Sequence, residues 1–305
     1  MDEIQKNLLE QIAGLHEMPE GAYNIRANGS SVSRSTTAHI DIVTKTDKQG
    51  IDIIIKPGTK KESVHIPVVL SQSGLTEMVY NDFYVGDDCD VTIIAGCGIH
   101  NSGDLDSKHD GIHSFFIGKN SHVKYVEKHY GSGDGKGERI MNPETVVELG
   151  ENSFMEMETV QIKGVDSTKR STTAHLADGA KLIVTEKLMT HGTQTAERSF
   201  QVDLHRMGSS ANIISRSVAR DQSSQLFLSK INGNNQCAGH SECDGIIMDQ
   251  ARISAIPEIT ANCLDAELIH EAAIGKIAGE QIIKLMTLGL SEEEAEAQII
   301  NGFLK

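Results

Sequence analysis

The sequence contains no tryptophan and only five prolines, and aromatic residues make up 4% of its 305 positions, whereas glycine occurs 28 times. This composition does not suit a globular core centred on large aromatic side chains. It also disfavours a sugar-binding cleft, because sugars stack on aromatic faces. A chain that turns often and stacks small or branched side chains is the better fit.

Long apolar runs are missing as well. No stretch of about 18 apolar residues occurs, so we expect no membrane-spanning helix. Residues 1–14 lack the continuous apolar core and the cleavage site of a secretory signal. We therefore expect a cytoplasmic protein.

Positive charge is scarce, with 28 Lys and Arg against 43 Asp and Glu and a formal net charge of -15. Such a surface repels phosphate backbones, so nucleic-acid binding is not expected. The cysteines are five, an odd number without the spacing of a disulfide framework: Cys89, Cys97, Cys237, Cys243 and Cys263. In a reducing compartment we expect free thiols, suited to metal binding or sulfur handling.

Motifs of common catalytic sites are also lacking. The chain has no Gly-x-x-x-x-Gly-Lys-Ser/Thr loop, and the glycine-rich segment 131–137 lacks the required Ser or Thr. No Gly-x-Ser-x-Gly nucleophile motif occurs either. We expect a non-catalytic protein, with any ATP hydrolysis taking place in a partner.

Internal repeats are the main architectural signal. The hexapeptide Arg-Ser-Thr-Thr-Ala-His occurs twice, at Arg34–His39 and Arg170–His175, and alternating apolar residues follow each copy. A second pattern consists of an apolar residue, a small residue (Gly or Ala), two turn residues and then alternating apolar and polar residues. It starts at Val85, Ile117, Leu149, Leu176 and Met207. Glycine, Asn and Asp turn the chain, and the period-two run that follows predicts a strand with one buried face, as Val123 and Tyr125 illustrate.

Such strands bury their faces by stacking on the next unit, so the repeats predict a mainly β protein, a parallel β-helix. An antiparallel sandwich would need regular tight hairpins, and a left-handed hexapeptide helix would need a six-residue period. The sequence contains few of the former and none of the latter.

The two ends predict helices. Ile4, Leu8, Ile12 and Leu15 share one helical face, and Ser291–Glu294 is a capping box that opens a last helix after a turn at Gly289. We predict an N-terminal amphipathic helix in residues 1–20, a β-helix core in 21–272, and a C-terminal helix-turn-helix tail in 273–305.

The C-terminal third resembles the SufB/SufD family of iron–sulfur cluster assembly scaffolds. The residues that carry the resemblance are Ile256–Ile259, Asp265–Ala273, Ile277, Gln281, Leu288–Glu293, Ala295 and Ile300–Phe303. The resemblance covers roughly residues 110–305 and is best from 200 onward. It implies a β-helix whose C-terminal helices bind SufC, an ABC-type ATPase, and whose subunits pair near the His270–Glu271 segment. The chain lacks the family's long N-terminal region, so it is similar to a single-type scaffold that works as a homodimer.

The resemblance also implies a cluster site. His270 and Glu271 match the positions at the subunit interface where a nascent iron–sulfur cluster, made of iron and sulfide, is held. The family's interface cysteine falls on Ala261, and Cys263, two residues on, is the nearest thiol. Seven residues of extended strand, about 23 Å, separate Cys263 from His270. We therefore expect them to meet only across an antiparallel pair of subunits. The alternatives are a hydrogen-bonded histidine and a small buried cysteine without a function. A reduced flavin would be an assisting cofactor, for which the sequence has no motif.

Two further clusters are candidate metal ligands. Cys237, His240 and Cys243 are close in sequence but do not have zinc-knuckle spacing. Cys97 and His100 form the other cluster with His109 and His113, if the intervening loop brings them together. The family's sulfur-accepting cysteine lies near the position of His113, so the sulfur entry route is not predicted.

Other functions remain open from the residues alone. A β-helix enzyme acting on polysaccharide would carry carboxylate pairs in a long cleft, and is usually secreted. A purely structural oligomerisation module would leave the thiols incidental.

Overall fold

The computed structural model describes residues 1–305 and confirms the predicted parallel β-helix with helices at both ends. The helices are α1 (Glu3–Ala13), α2 (Gly279–Met286) and α3 (Glu292–Phe303). None of them is long and apolar enough to cross a bilayer. The strands are β1 Ala22–Ala27, β2 Ser30–Ser35, β3 Ile40–Thr44, β4 Gly50–Ile55, β5 Lys60–Leu70, β6 Thr76–Val85, β7 Asp90–His100, β8 Ser107–Ile117, β9 His122–Ser132, β10 Arg139–Met141, β11 Glu144–Leu149, β12 Phe154–Lys163, β13 Ser167–Leu176, β14 Lys181–Thr190, β15 Thr195–Leu204, β16 Ser209–Ala219, β17 Ser224–Gly233, β18 Cys237–Ile247, β19 Arg252–Ala261 and β20 Ala266–Gly275.

Each coil of the solenoid contributes one strand to each of two facing sheets. The first sheet has the order β2-β1-β5-β7-β9-β12-β14-β16-β18-β20. The second has the order β19-β17-β15-β13-β10-β8-β6-β4-β3, with β11 continuing the rung that β10 begins. All pairs are parallel except β1 with β2 and β3 with β4, the two antiparallel hairpins at the N-terminal end.

The predicted turns lie at one corner of the coils. Asp88, Asn120, Asn152, Gly179 and Gly208 all have left-handed backbone angles, with φ between 55° and 71°. The N–H of each of the first four donates to a carbonyl in the turn of the next coil. This stacking explains why Asn, Asp and Gly recur there, since these residues tolerate positive φ at low cost.

Two details of the predicted repeat are wrong. The copy assigned to begin at Met207 starts three residues too late, because Leu176 pairs with Leu204. The next turn holds one extra residue, so the offset falls to two in the following strands, where Leu182 pairs with Ala211. The hexapeptide is not a structural repeat: Arg34–His39 spans the end of β2 and a loop, whereas Arg170–His175 lies inside β13. The first copy leaves the strand because Thr37 Oγ1 accepts the N–H of Ile40 in a local turn.

The core has an apolar part and a charged part. Inward-facing Ile, Val, Leu and Phe from both sheets form one large buried cluster, which includes Val123 and Tyr125. Beside it, three buried ion pairs join the two sheets: Arg26 with Glu77, Glu127 with Arg170, and Glu186 with Arg198.

The terminal helices pack on the outside of the first sheet. Leu8 and Ile12 of α1 approach the sheet at Gly96 and Gly98, where a Cβ would lie 3.0–3.1 Å from their side chains. Ile4, expected on the buried face, is exposed, because the face of α1 that packs on the solenoid is formed by Gln5, Leu8, Leu9 and Ile12. At the other end, Ile300 and Leu304 pack against Val218 of β16, and the predicted capping box at Ser291 is present.

Candidate functional site

The last coil leaves the C-terminal end of the solenoid open. Strands β19 and β20 pair on one side only, so their outer edges carry free backbone N–H and C=O groups. Large apolar side chains are exposed on the same coil, at Ile256, Ile259, Leu264 and Ile269. An unpaired edge with apolar side chains is typical of a surface at which another chain can add a strand.

A cluster of metal-type ligands lies beside this edge, on the outer face of the first sheet. His240 and Glu242 of β18 and Glu271 of β20 place three ligand atoms within 4.8 Å of one another. Nε2 of His240 lies 3.3 Å from a carboxylate oxygen of Glu271. On the far side of the ring, Nδ1 of His240 lies 3.0 Å from Oδ1 of Asn212. A Nδ1–H donated to that oxygen leaves Nε2 free as a ligand. The register places Glu242 directly opposite Glu271.

The charges of this cluster favour a cation. Burial and repulsion by the neighbouring carboxylate of Asp244 raise the pKa of Glu242, an effect that His240 and Arg216 oppose. A bound metal ion would relieve that repulsion. Imidazole and carboxylate together suit iron and zinc ions.

His270 and Glu271 do not share a site within one chain. Successive residues of a strand point to opposite faces, and Glu271 points outward whereas His270 is turned toward the interior, beside Ser241. Nδ1 of His270 is buried without a hydrogen-bond partner. The structure thus pairs Glu271 with His240 and leaves His270 as a separate polar group at the inner rim.

Cys263 lies in the turn between β19 and β20, so the expectation of an uninterrupted strand from Cys263 to His270 is wrong. It is the only cysteine of the chain that is not buried. Cys237 is close to it: burial raises the pKa of the Cys237 thiol, a backbone hydrogen bond at Asn235 lowers it, and the charge of Cys263 raises it. The strand register agrees, since Cys237 pairs with Ala266, three residues after Cys263.

The cluster Cys237, His240 and Cys243 does not converge. Both cysteines point into the core, whereas His240 points outward, and six residues of strand separate the thiols by about 20 Å. Burial raises the pKa of Cys243 to about 11, an effect that Arg198 opposes and Glu186 strengthens. A thiol of this kind is protonated at neutral pH and is a poor ligand.

Of the other predicted cluster, Cys97, His100, His109 and His113, the structure brings three residues together. Strands β7 and β8 place them, not the loop between these strands. Cys97 of β7 and His109 and His113 of β8 point inward and line one small internal cavity, of about 10 Å³, together with Glu127 and His129. His100 lies outside it and contacts Ser132 instead. Two imidazoles fit beside each other because Gly111, between them, has no side chain.

The electrostatics of this cavity keep its groups in fixed charge states. Burial lowers the pKa of His113 to about 4, and the ring lies 2.7 Å from the Tyr125 hydroxyl. Burial alone would raise the pKa of Glu127, but Arg170 and His129 outweigh it and hold that pKa well below its usual range. Burial and the charges of Glu77 and Glu127 raise the pKa of Cys97 far above its usual value. The cavity is therefore a neutral thiol and imidazole beside a buried ion pair.

Sequence analysis missed these buried ion pairs, although a signal was present. Glu127 continues the inward alternation of Val123 and Tyr125, and Arg170 has the same parity as the buried Ala174. A charged residue in an inward position of such a pattern predicts a buried partner in the facing sheet.

Comparison with known proteins identifies the family. The family model described as SUF system FeS cluster assembly, SufBD core domain, matches residues 71–303. The chain belongs to the SufBD family. An iron–sulfur cluster assembly SufBD family protein of Archaeoglobus fulgidus is 30% identical to this SufBD protein, over 85% of the present chain and 69% of the relative. One from Pyrococcus horikoshii is 26% identical over 97% of the chain and 84% of the relative.

The coverage of other relatives is smaller. A SufBD family protein of Methanothermobacter thermautotrophicus strain Delta H is 26% identical over 84% of this chain, which spans 62% of the relative. The match to the SufBD core domain includes Cys97, His109 and His113 of the internal cavity and the whole last coil, whereas α1 and β1–β5 precede it.

Proposed function

We propose that this SufBD protein is a non-catalytic cytoplasmic scaffold on which an iron–sulfur cluster is assembled as cargo. The observation that carries the proposal is the last coil, where the ligand cluster of His240, Glu242 and Glu271 adjoins an open strand edge. Family membership supports iron–sulfur chemistry over polysaccharide cleavage and over a purely structural role. A reduced flavin is a candidate cofactor with no support from the residues.

The proposed scaffold is a homodimer joined through this edge. Pairing two copies would satisfy the free backbone groups of β19 or β20 and would cover Ile256 and Ile269, which are 55% and 56% exposed. Ile256→Lys or Ile269→Lys should therefore convert a dimer to a monomer in light-scattering measurements. Val43→Lys, at an exposed apolar position near the other end of the solenoid, is the matched control. A monomeric wild-type protein at micromolar concentration would contradict this part of the proposal.

The dimer would bring the cluster ligands of two chains together. Glu271 and His240 are offered on the outer face, Cys263 in the adjoining turn, and His270 at the inner rim. Cys237 pairs in the register with Ala266, three residues after Cys263, and so adds a second thiol near this turn. Thiolate, imidazole and carboxylate are all iron ligands, and thiolate also accepts sulfur.

We propose that the C-terminal tail binds a SufC-type ABC ATPase through α2. No residue of α2 is buried, and Ile283, Met286 and Leu288 at its exposed side and end form an apolar surface. By contrast, α3 packs on Val218, so deleting residues 279–305 would also uncover part of the sheet. Ile283→Asp with Leu288→Asp is the sharper test and should abolish co-purification with the ATPase while leaving the fold intact by circular dichroism.

The experiment that tests the whole proposal is anaerobic purification with the ATPase co-expressed, followed by iron and acid-labile sulfide analysis. The wild-type complex should carry both elements. Glu271→Gln and Cys263→Ser should lower iron and sulfide together, and His122→Ala, at an exposed histidine flanked by carboxylates elsewhere, should not. Equal iron and sulfide in all variants would refute the placement of the cluster at the last coil.

A further inference from the structure

A second group of metal-type ligands lies on the outer face of the second sheet, away from the last coil. His175 of β13 and Asp203 of β15 are direct partners in the parallel register, and His205 follows the end of β15. One ligand atom from each of the three side chains lies within 4.8 Å of the other two. The two imidazole rings are stacked, with centroids 6.4 Å apart and planes inclined by 13°.

Asp203 has no lysine or arginine partner that would explain its position. The residue is only 8% exposed although it faces outward, and its only ion-pair contact is with His175, at 3.5 Å. Two side-chain amides hold the carboxylate: Asn232 Nδ2 donates to Oδ1 at 2.6 Å, and Gln201 Nε2 donates to Oδ2 at 3.2 Å. Both carboxylate oxygens are thus held by hydrogen bonds that fix the orientation of the Asp203 side chain.

His205 is held from outside in the same way. The side-chain amide of Asn234 lies 3.1 Å from Nδ1 of His205, and Asn262 donates to Asn234 in turn. Orienting contacts of this kind are what metal-binding histidines and carboxylates have around them. On the other side of His175, the register brings the exposed Glu148, which adds negative charge near the site.

We propose that His175, Asp203 and His205 bind one divalent transition-metal ion. Two imidazoles and one carboxylate suit Fe²⁺ or Zn²⁺, whereas Mg²⁺ and Ca²⁺ prefer sites made of oxygen alone. Three protein ligands leave coordination positions open, and the exposed side of His205 gives the ion direct access from solvent. None of the three ligands lies in the last coil, so the site stands or fails independently of the proposed function.

The test is metal titration of the full-length protein after treatment with EDTA, followed by calorimetry and, for Co²⁺, by visible absorption. The variants are Asp203→Asn, which keeps the size of the side chain, and His205→Ala, which alters an exposed residue. Each should weaken Zn²⁺ and Co²⁺ binding at one site by at least tenfold, because a direct ligand is lost. His122→Ala, where the histidine contacts Asp90 and Glu156, is the control and should leave binding unchanged.

The variant Glu271→Gln distinguishes binding at the last coil from binding at this site. If both clusters bind, the wild type takes up two ions, and Glu271→Gln and His205→Ala each remove a different one. Anaerobic Fe²⁺ titration should give the same site with a weaker affinity than Zn²⁺, in keeping with the usual order of divalent metals. Metal uptake that is unchanged in both Asp203→Asn and His205→Ala, or Mg²⁺ binding as tight as Zn²⁺ binding, would overturn the proposal.

Discussion

The buried pair of Glu127 and Arg170 allows a quantitative test of the charged part of the core. The guanidinium Nη1 of Arg170 donates to Oε2 of Glu127 at 2.7 Å, and the two side chains are 5% and 4% exposed. Glu127→Gln preserves size but removes the charge, while Arg170 stays charged in the interior. Breaking a buried pair in this way costs about 3–5 kcal/mol, because the remaining charge is uncompensated. Nearby Glu186 also attracts Arg170, so we expect the lower end of this range, about 3 kcal/mol.

The assay is urea unfolding at neutral pH under reducing conditions, followed by circular dichroism. Glu197→Gln is the matched control, since Glu197 of β15 pairs on the outer face with Lys169 of β13, the strand that also holds Arg170, and both are well exposed. That change should cost at most about 1 kcal/mol. The double variant Glu127→Gln with Arg170→Met should recover most of the stability, because no buried charge is left alone. Equal losses in Glu127→Gln and Glu197→Gln, or no recovery in the double variant, would refute the reasoning.

Three further predictions concern pH, close packing and helix capping. His113 takes up a proton near pH 6.5 when unfolded but only near pH 4 when folded, so stability falls as pH drops through this interval. By linkage, the free energy of unfolding of His113→Asn should fall by about 2 kcal/mol less than that of the wild type when the pH drops from 7 to 5. Urea unfolding at the two pH values measures this difference. Gly131→Ala, whose Cβ would lie 1.9 Å from the Gly164 carbonyl oxygen, should lower the melting temperature, whereas Gly275→Ala, with nothing within 4 Å, should not. Ser291→Ala should destabilise α3 by about 1 kcal/mol, seen as faster hydrogen exchange in its first turn and not as earlier global unfolding.

The fold was predictable because its signals are local. Alternation placed Val123 and Tyr125 inside, and Asn and Gly marked the corner turns at Asn120 and Gly179, as observed. The position assigned to Met207 failed because Gly208 does not take the place of Ala177: it occupies the left-handed turn position of Gly179 in the next coil.

The site was less predictable because its geometry depends on how coils align. His270 and Glu271 are neighbours in sequence and for that reason face opposite ways in a strand. The contact of His240 with Glu271 spans 31 residues, and the pairing of His175 with Asp203 spans 28. Coils of unequal length hide such pairs until the register of every strand is known.

The ion pairs of the interior have a consequence for how the solenoid selects its register. Stacked coils resemble one another, and an apolar core alone would tolerate a strand displaced by one coil. Glu127, Arg170, Glu186 and Arg198 each lie on a different strand, and each pair joins the two sheets across the core. A one-coil slip would place an apolar or like-charged residue opposite at least one of these groups, which is costly in the interior. The buried charges thus make the correct stacking register of the coils more stable than registers displaced by one coil.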